Sequence, residues 1–133
     1  MGVMRVFVGY DPRQPIAFHV CAQSLWEHVS EPVSITRLDL RYLPLRKRGL
    51  TEFTYSRFLV PYLCNYEGWA LFLDSDILVR GDVAELPKGN AAIYFVLDEQ
   101  RRFEWPSVMW MNCAKLKMLT PELIEREKMY DWH

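Results

Sequence analysis

The sequence has almost no excess charge of either sign: 16 Lys and Arg stand against 17 Asp and Glu, a formal net charge of -1. No overall basic field draws it to nucleic acid or to an anionic membrane, so any polyanion must be met locally, at a site. It has no long hydrophobic run. The apolar stretch within Met1 to Tyr10 is too brief to span a membrane and lacks the layout of a signal peptide. Cysteine is sparse: Cys21, Cys64 and Cys113 are odd in number, widely spaced and without a CxxC, which reads as free thiols of a cytoplasmic protein rather than a disulfide or zinc site. The histidines, His19, His28 and His133, show no paired metal-ligand spacing, and the first two fall on an expected helix as surface or packing residues. Repeats, low-complexity tracts and linkers are missing too.

What is present is an ordinary globular composition, half hydrophobic and a quarter charged, in 133 residues. That length suits one domain, 1–133, and is small for an enzyme that must also enclose a substrate. Arg5 to Gly9 reads as a buried strand, followed by the turn cluster Tyr10-Asp11-Pro12-Arg13. Pro15 opens a helix to about Val29, with Ile16, Val20 and Ser24-Leu25 expected on one face. Val33 to Leu40 alternates as a second strand, so the first forty residues form a βαβ unit and a parallel sheet. Arg41 to Thr51 is a basic loop, and Phe53 to Leu63 is helical, with Pro61 either kinking the helix or starting a second one. Trp69 to Leu73 is the most apolar strand signal and is expected at the centre of the sheet. Beyond it, Ile77 to Val79 continues extended and Gly81-Asp82-Val83 turns. Further strands are expected at Ala91 to Leu97 and Val108 to Cys113, and a last helix from Thr120-Pro121 to about Met129.

The strongest chemical signal is Asp74-Ser75-Asp76, placed where the central strand ends. In open α/β sheets ligands bind in the crevice at the carboxyl ends of the strands. Two carboxylates one residue apart can turn toward one point if the chain is extended there. Their oxygens suit a hard cation, Mg²⁺ or Mn²⁺, without histidine or cysteine. Such a cation bridges diphosphate oxygens and neutralises charge on a leaving nucleoside diphosphate. Asp-x-Asp alone is common at turns. Here apolar runs on both sides would ordinarily discourage two unpaired charges, and that favours a functional pair.

At this point the sequence resembles glycosyltransferase family 8 and its bacterial relatives. Trp69 to Leu86 is similar to the family's metal-binding segment, Thr54-Tyr55-Ser56-Arg57 to its donor-contacting segment, and Val8-Gly9-Tyr10-Asp11 to the first-strand edge that holds the base. The resemblance implies an α/β GT-A (Rossmann-like) nucleotide-diphospho-sugar transferase fold, partial, with a mostly parallel central sheet. It implies Asp74 and Asp76 as metal ligands for Mn²⁺ or Mg²⁺. Donor binding would fall to Gly9, Tyr10, Asp11, Tyr55, Arg57, Asp74, Ser75 and Asp76, with Arg57 on the donor phosphates or holding the donor's position. Tyr10 is equally open to being a packing aromatic. Asp98 resembles a position near the transferred sugar or acceptor, and is also open to being a solvated turn residue. A UDP-sugar donor, an acceptor hydroxyl and retention with front-face attack follow from the same resemblance. Trp105-Pro106-Ser107 replaces the family's small Asn-Ala-Gly segment. The family's third metal ligand, a histidine, comes from further downstream than His133. The expectation is therefore a C-terminally truncated transferase or, alternatively, a non-catalytic nucleotide-sugar-binding module. Trp105, Trp110 and Trp132 are candidates for an association patch in a homo-oligomer.

Two other classes compete. Haloacid-dehalogenase-like phosphatases also end a buried strand with Asp-x-Asp, but on the first strand and before Gly-Thr; here the pair is mid-chain and Ile77-Leu78 follows. A nucleic-acid site built on Arg41, Arg46, Lys47 and Arg48 is less economical than a solvated or phosphate-facing loop.

Overall fold

The computed structural model describes residues 2–46, 55–95 and 107–126. Among them, five strands form one sheet in the order β2-β1-β3-β5-β4: β1 Met4–Gly9, β2 Val33–Leu38, β3 Trp69–Leu73, β4 Ile93–Phe95 and β5 Val108–Asn112. β1 lies parallel to β2 and to β3, while β5 runs antiparallel to β3 and β4. Every strand but β5 therefore points the same way. The expected mostly parallel sheet is present, with β3 at its middle.

Side chains alternate across a strand, so β3 must satisfy two faces at once. Ala70 and Phe72 join a core with Phe7, Leu59, Val60, Met109 and Met111. Leu71 and Leu73 join another with Val6, Val8, Cys21, Leu25 and Trp110. The helix α1, Pro15–His28, covers the second face. The short helices α2, Val60–Leu63, and α3, Pro121–Arg126, belong to the first.

Several elements differ from the sequence expectation, each for a local reason. α1 does not turn Ile16 and Val20 inward; they are 74% and 50% exposed. The face toward β1 is instead Phe18, Cys21 and Leu25, spaced i, i+3, i+7. Ser24 is tolerated there because its hydroxyl donates to the Cys21 carbonyl at 2.7 Å and accepts from the Val79 N–H at 2.8 Å. β2 stops at Leu38 because the Asp39 carboxylate accepts from the Arg41 N–H and caps a 3-10 turn, Leu40–Tyr42. Pro61 starts a second helix and does not kink a long one. A 3-10 turn, Ser56–Leu59, runs into α2, with the proline in its first turn. Ile77 to Val79 pairs with no strand among the described residues. The Thr120 hydroxyl accepts from the Leu123 N–H at 3.2 Å, the expected cap of α3; that helix's continuation toward Met129 lies outside the described residues.

The turn into β3 has left-handed backbone at Asn65, Tyr66 and Gly68 (φ 56°, 58° and 69°). A Cβ on Gly68 would lie 2.9 Å from the Arg5 guanidinium, which donates to the Glu67 and Trp69 carbonyls. Glycine is needed there both for its φ and for the space it leaves to that clamp.

Phe72→Ala should cost about 3–5 kcal/mol in chemical denaturation, since the ring is fully buried. Ile16→Ser should stay within about 0.5 kcal/mol. Comparable losses for the two would contradict this assignment of the core.

Candidate active site

The strand register builds the site. Val8 pairs with Leu73 at the carboxyl ends of β1 and β3, so Gly9-Tyr10-Asp11 and Asp74-Ser75-Asp76 leave the sheet side by side. On the other flank Gly9 pairs with Leu38, which brings Asp39 and Arg41 to the same edge. Sequence reading missed Arg37 and Asp39 and counted Arg41 only as part of a basic loop. The available signal was that every strand of a parallel sheet ends on the same edge.

The chain is not extended through the aspartates. The Asp74 carbonyl accepts from the Ile77 N–H at 3.2 Å, closing a tight turn, and the Asp74 N–H donates to the Ser107 carbonyl at 2.9 Å. The turn treats the three residues differently: Asp74 is half-buried, Ser75 buried and Asp76 exposed. Both carboxylates still share one neighbourhood, since the Cys21 thiol beneath them is pushed up to about 11, by burial first and then by Asp76 and Asp74. Cys21, Cys64 and Cys113 are free and buried.

By strand alternation Asp74 projects on the face of Ala70 and Phe72, and there it meets Arg57 from the Ser56–Leu59 turn. Arg57 is 3% exposed, and its guanidinium lies 3.2 Å from Asp74 Oδ1 and 5.0 Å from the Phe72 ring centroid. Asp74 Oδ1 is itself shut away from solvent and makes no hydrogen bond; the ion pair reaches it by proximity alone. Burial pushes the Asp74 carboxyl up to about 6, against the pull of Arg57 and of a Ser107 hydrogen bond, and Asp76 adds to the push. Burial likewise holds the Arg57 guanidinium below its ordinary value, with Asp74 opposing.

The nucleotide-side residues are arranged otherwise. Tyr10 is 8% exposed; Arg37 lies 4.3 Å over its ring and Phe18 meets it edge-on at 5.9 Å. Of the two roles open to Tyr10, packing is the one visible here. Asp11 accepts from the Arg13 backbone N–H and side chain, and the Arg13 hydrogen bond holds its carboxyl below the usual range. Asp39, nearly fully buried, takes Arg41 at 2.6 Å and Arg37 at 3.7 Å, and it too is held low, chiefly by Arg41. Tyr55 is half-buried against the core at the start of the Arg57 turn.

No group of three or more His, Cys, Asp or Glu able to hold a metal occurs among the described residues. His19 packs edge-on against Phe18, and His28 Nδ1 lies 2.9 Å from the Ser24 carbonyl. Asp98, Trp105, Trp132 and His133 lie outside the described residues. Trp110 is not available to an association patch. It is 3% exposed, stacks on Trp69, and donates from Nε1 to the Pro87 carbonyl at 2.7 Å. No helix among the described residues is long and apolar enough to cross a membrane.

No family model matches the chain. Protein CDI of Arabidopsis thaliana is 37% identical to it over 152 residues, which cover 92% of this chain and 59% of that protein. The solved glycosyltransferase GlyE of Streptococcus pneumoniae TIGR4 superposes with a TM-score of 0.67 at 18% identity, over 99% of this chain and 38% of its own. The galactosyltransferase LgtC, solved with donor and acceptor sugar analogs, gives 0.60 at 16% identity, over 96% and 62%. The chain thus spans 59% of the plant relative and 38% and 62% of the two solved enzymes. Its fold is that of the GT-A glycosyltransferases, in part.

Because the folded Asp74 titrates near 6 and an unfolded aspartate near 4, ionising it disfavours the folded chain. Its contribution to stability is full below about pH 4 and lost as pH rises through about 6. Relative to wild type, Asp74→Asn should therefore gain thermal stability between pH 4.5 and pH 8. A difference in melting temperature that stays constant between those pH values would contradict the assignment.

Proposed function

We propose that the chain forms the donor-binding half of a metal-dependent glycosyltransferase of family 8 type, moving a sugar with retention from a nucleoside-diphosphate sugar, UDP-linked, to an acceptor hydroxyl. The observation that carries this reading is the Asp74–Asp76 turn at the end of a central strand buried on both faces, beside Gly9-Tyr10-Asp11, in a GT-A fold. LgtC was solved with donor and acceptor analogs, which supports a sugar donor and acceptor for a chain of this fold.

The donor set suits Mg²⁺ or Mn²⁺: Asp74 and Asp76 would hold the cation through their hard carboxylate oxygens, leaving the rest of its coordination to the diphosphate and water. Bound there, the cation would neutralise charge on the departing diphosphate. The chain's own residues hold and orient. Asp74 is set by its burial, and Asp76 reaches the crevice from the crest of the turn. Ser75 lies between them against the donor. Gly9 lets the backbone approach the nucleoside, with Tyr10 and Asp11 at its base and ribose. Tyr55 and Arg57 support the same edge, and Asp98 is assigned to the transferred sugar or acceptor side. No side chain here is assigned as a covalent nucleophile; the leaving diphosphate takes up the acceptor's proton.

A second reading is a nucleotide-sugar-binding module without turnover. It is favoured by one observation, that the described residues offer two carboxylates and no third ligand.

Thermal melts with Mn²⁺ and a panel of nucleotide sugars, together with donor hydrolysis, separate the two readings. Mn²⁺-dependent stabilisation by a UDP-sugar, with slow hydrolysis, is the transferase result; stabilisation alone is the module result. Asp76→Ala should abolish the Mn²⁺-dependent stabilisation. An Asp76→Ala chain that responds as wild type does would rule out both.

A further inference from the structure

We propose that Cys64 and Cys113 form a thiol pair that hydrogen peroxide closes to an intramolecular disulfide, reversibly stapling α2 to the chain that leaves β5.

The two cysteines are far apart in sequence and are brought together by the turn into β3. Cys64 caps α2, and its N–H donates to the Val60 carbonyl at 3.1 Å. The chain then reverses through the left-handed residues Asn65, Tyr66 and Gly68. Cys113 follows β5, whose Asn112 pairs with Trp69, and its N–H donates to the Gly68 carbonyl at 2.8 Å. Both side chains enter one core cluster, where they hydrogen-bond to each other. Cys21 belongs to the cluster on the other face of the sheet, so neither thiol can turn to it instead. The pair lies at the amino end of β3, the edge opposite Asp74 and Asp76.

The two thiols are not equivalent. Cys113 is fully buried, whereas Cys64 is 6% exposed and lies at the margin of the core. The hydrogen bond from Cys113, helped by the nearby Arg5 guanidinium, holds the Cys64 thiol below its ordinary value against the effect of burial. The same hydrogen bond, with burial, pushes Cys113 up. Cys64 is therefore the thiol that meets the oxidant, and Cys113 is the one that resolves the product. The Cys64 thiolate attacks one peroxide oxygen and becomes a sulfenic acid; the hydroxide released takes up the Cys64 proton as water. The Cys113 sulfur then displaces the sulfenic oxygen, which leaves with the Cys113 proton as a second water. Two thiols are oxidised to one disulfide, and one peroxide is reduced to two waters. A bond between positions so distant in sequence restricts the unfolded chain, so the oxidised form is the more stable.

The test treats the wild-type chain with hydrogen peroxide at neutral pH and reads its intact mass. It is then unfolded, its remaining thiols are blocked with iodoacetamide, and its peptides are mapped. The expected product is a monomer lighter by two hydrogens, with Cys64 joined to Cys113 and Cys21 alkylated. Its melting temperature should rise by about 5 °C or more. Dithiothreitol should restore both the mass and the melting temperature. In Cys113→Ser, oxidation should stop at a Cys64 sulfenic acid that dimedone traps; in Cys64→Ser, Cys113 should resist the peroxide. The wild-type result decides by itself if either variant folds poorly.

Oxygen adducts on Cys64 without a cross-link in the wild-type chain would overturn the proposal. So would a bond made by Cys21 or between two chains, or no reaction at either thiol. An oxidised chain that melts below the reduced one would also overturn it, since the pair would then not be set for closure within the fold.

Discussion

A strand buried on both faces cannot carry a charge until it leaves the sheet, and this constraint on β3 orders the rest of the molecule. From Trp69 to Leu73 every side chain is apolar, because Ala70 and Phe72 face one core while Leu71 and Leu73 face the other. Polar chemistry begins only at Asp74. β1, buried from Val6 onward, is likewise followed by Tyr10 and Asp11, and the half-exposed β2, which carries Arg37, hands over to Asp39. Since the three strands are parallel, their polar exits gather on one edge.

That edge is electrostatically divided. Around β1 and β2 the carboxylates of Asp11 and Asp39 are each held by arginines and sit below their ordinary range. They are structural pairs at the rim, and Arg37 is spread over Tyr10 as part of the same cluster. At β3 the balance is reversed. The desolvation of Asp74 outweighs the pull of Arg57, so its carboxyl is poised close to neutrality, and its inward oxygen lacks a hydrogen bond. A carboxylate held at such a disadvantage would gain most from a cation, which is why the proposed metal is assigned to Asp74 and not to Asp11 or Asp39. Asp76 adds a second charge without any of that burial.

Much of this was legible in the residues. The unbroken apolar run Trp69 to Leu73 gave the central strand to the residue, and the βαβ pattern at the N-terminus gave its parallel neighbours. Thr120-Pro121 gave the cap of the last helix. What was not legible depended on tertiary contacts. The inward face of α1 is not legible from spacing, because Ile16 and Val20 fit a helical stripe as well as Phe18, Cys21 and Leu25 do. Only docking on β1, with Ser24 satisfied by Val79, decides between them. The early stop of β2 hangs on one side-chain cap, from Asp39 to Arg41. Trp110 suits an association patch only if the chain leaves apolar surface uncovered there, and its position in the sheet between β3 and β4 buries it. The turn through Asp74-Ser75-Asp76 also escaped, since Asp-x-Asp is compatible with either a strand or a turn. Above all, no spacing rule could pair Arg57 with Asp74, seventeen positions away in sequence and 3.2 Å away in space.

The central claim is that one cation, held by both aspartates, fixes a nucleoside diphosphate at the carboxyl edge of β1 and β3. The most direct measurement is a crystal structure of the chain with UDP and Mn²⁺, using anomalous scattering to locate the metal. The account predicts a single manganese peak bonded to the Asp74 and Asp76 carboxylates and to diphosphate oxygens, with the uridine beside Gly9 and Tyr10. A diphosphate held at that edge with no metal between it and the aspartates, or a nucleotide bound elsewhere on the chain, would contradict it.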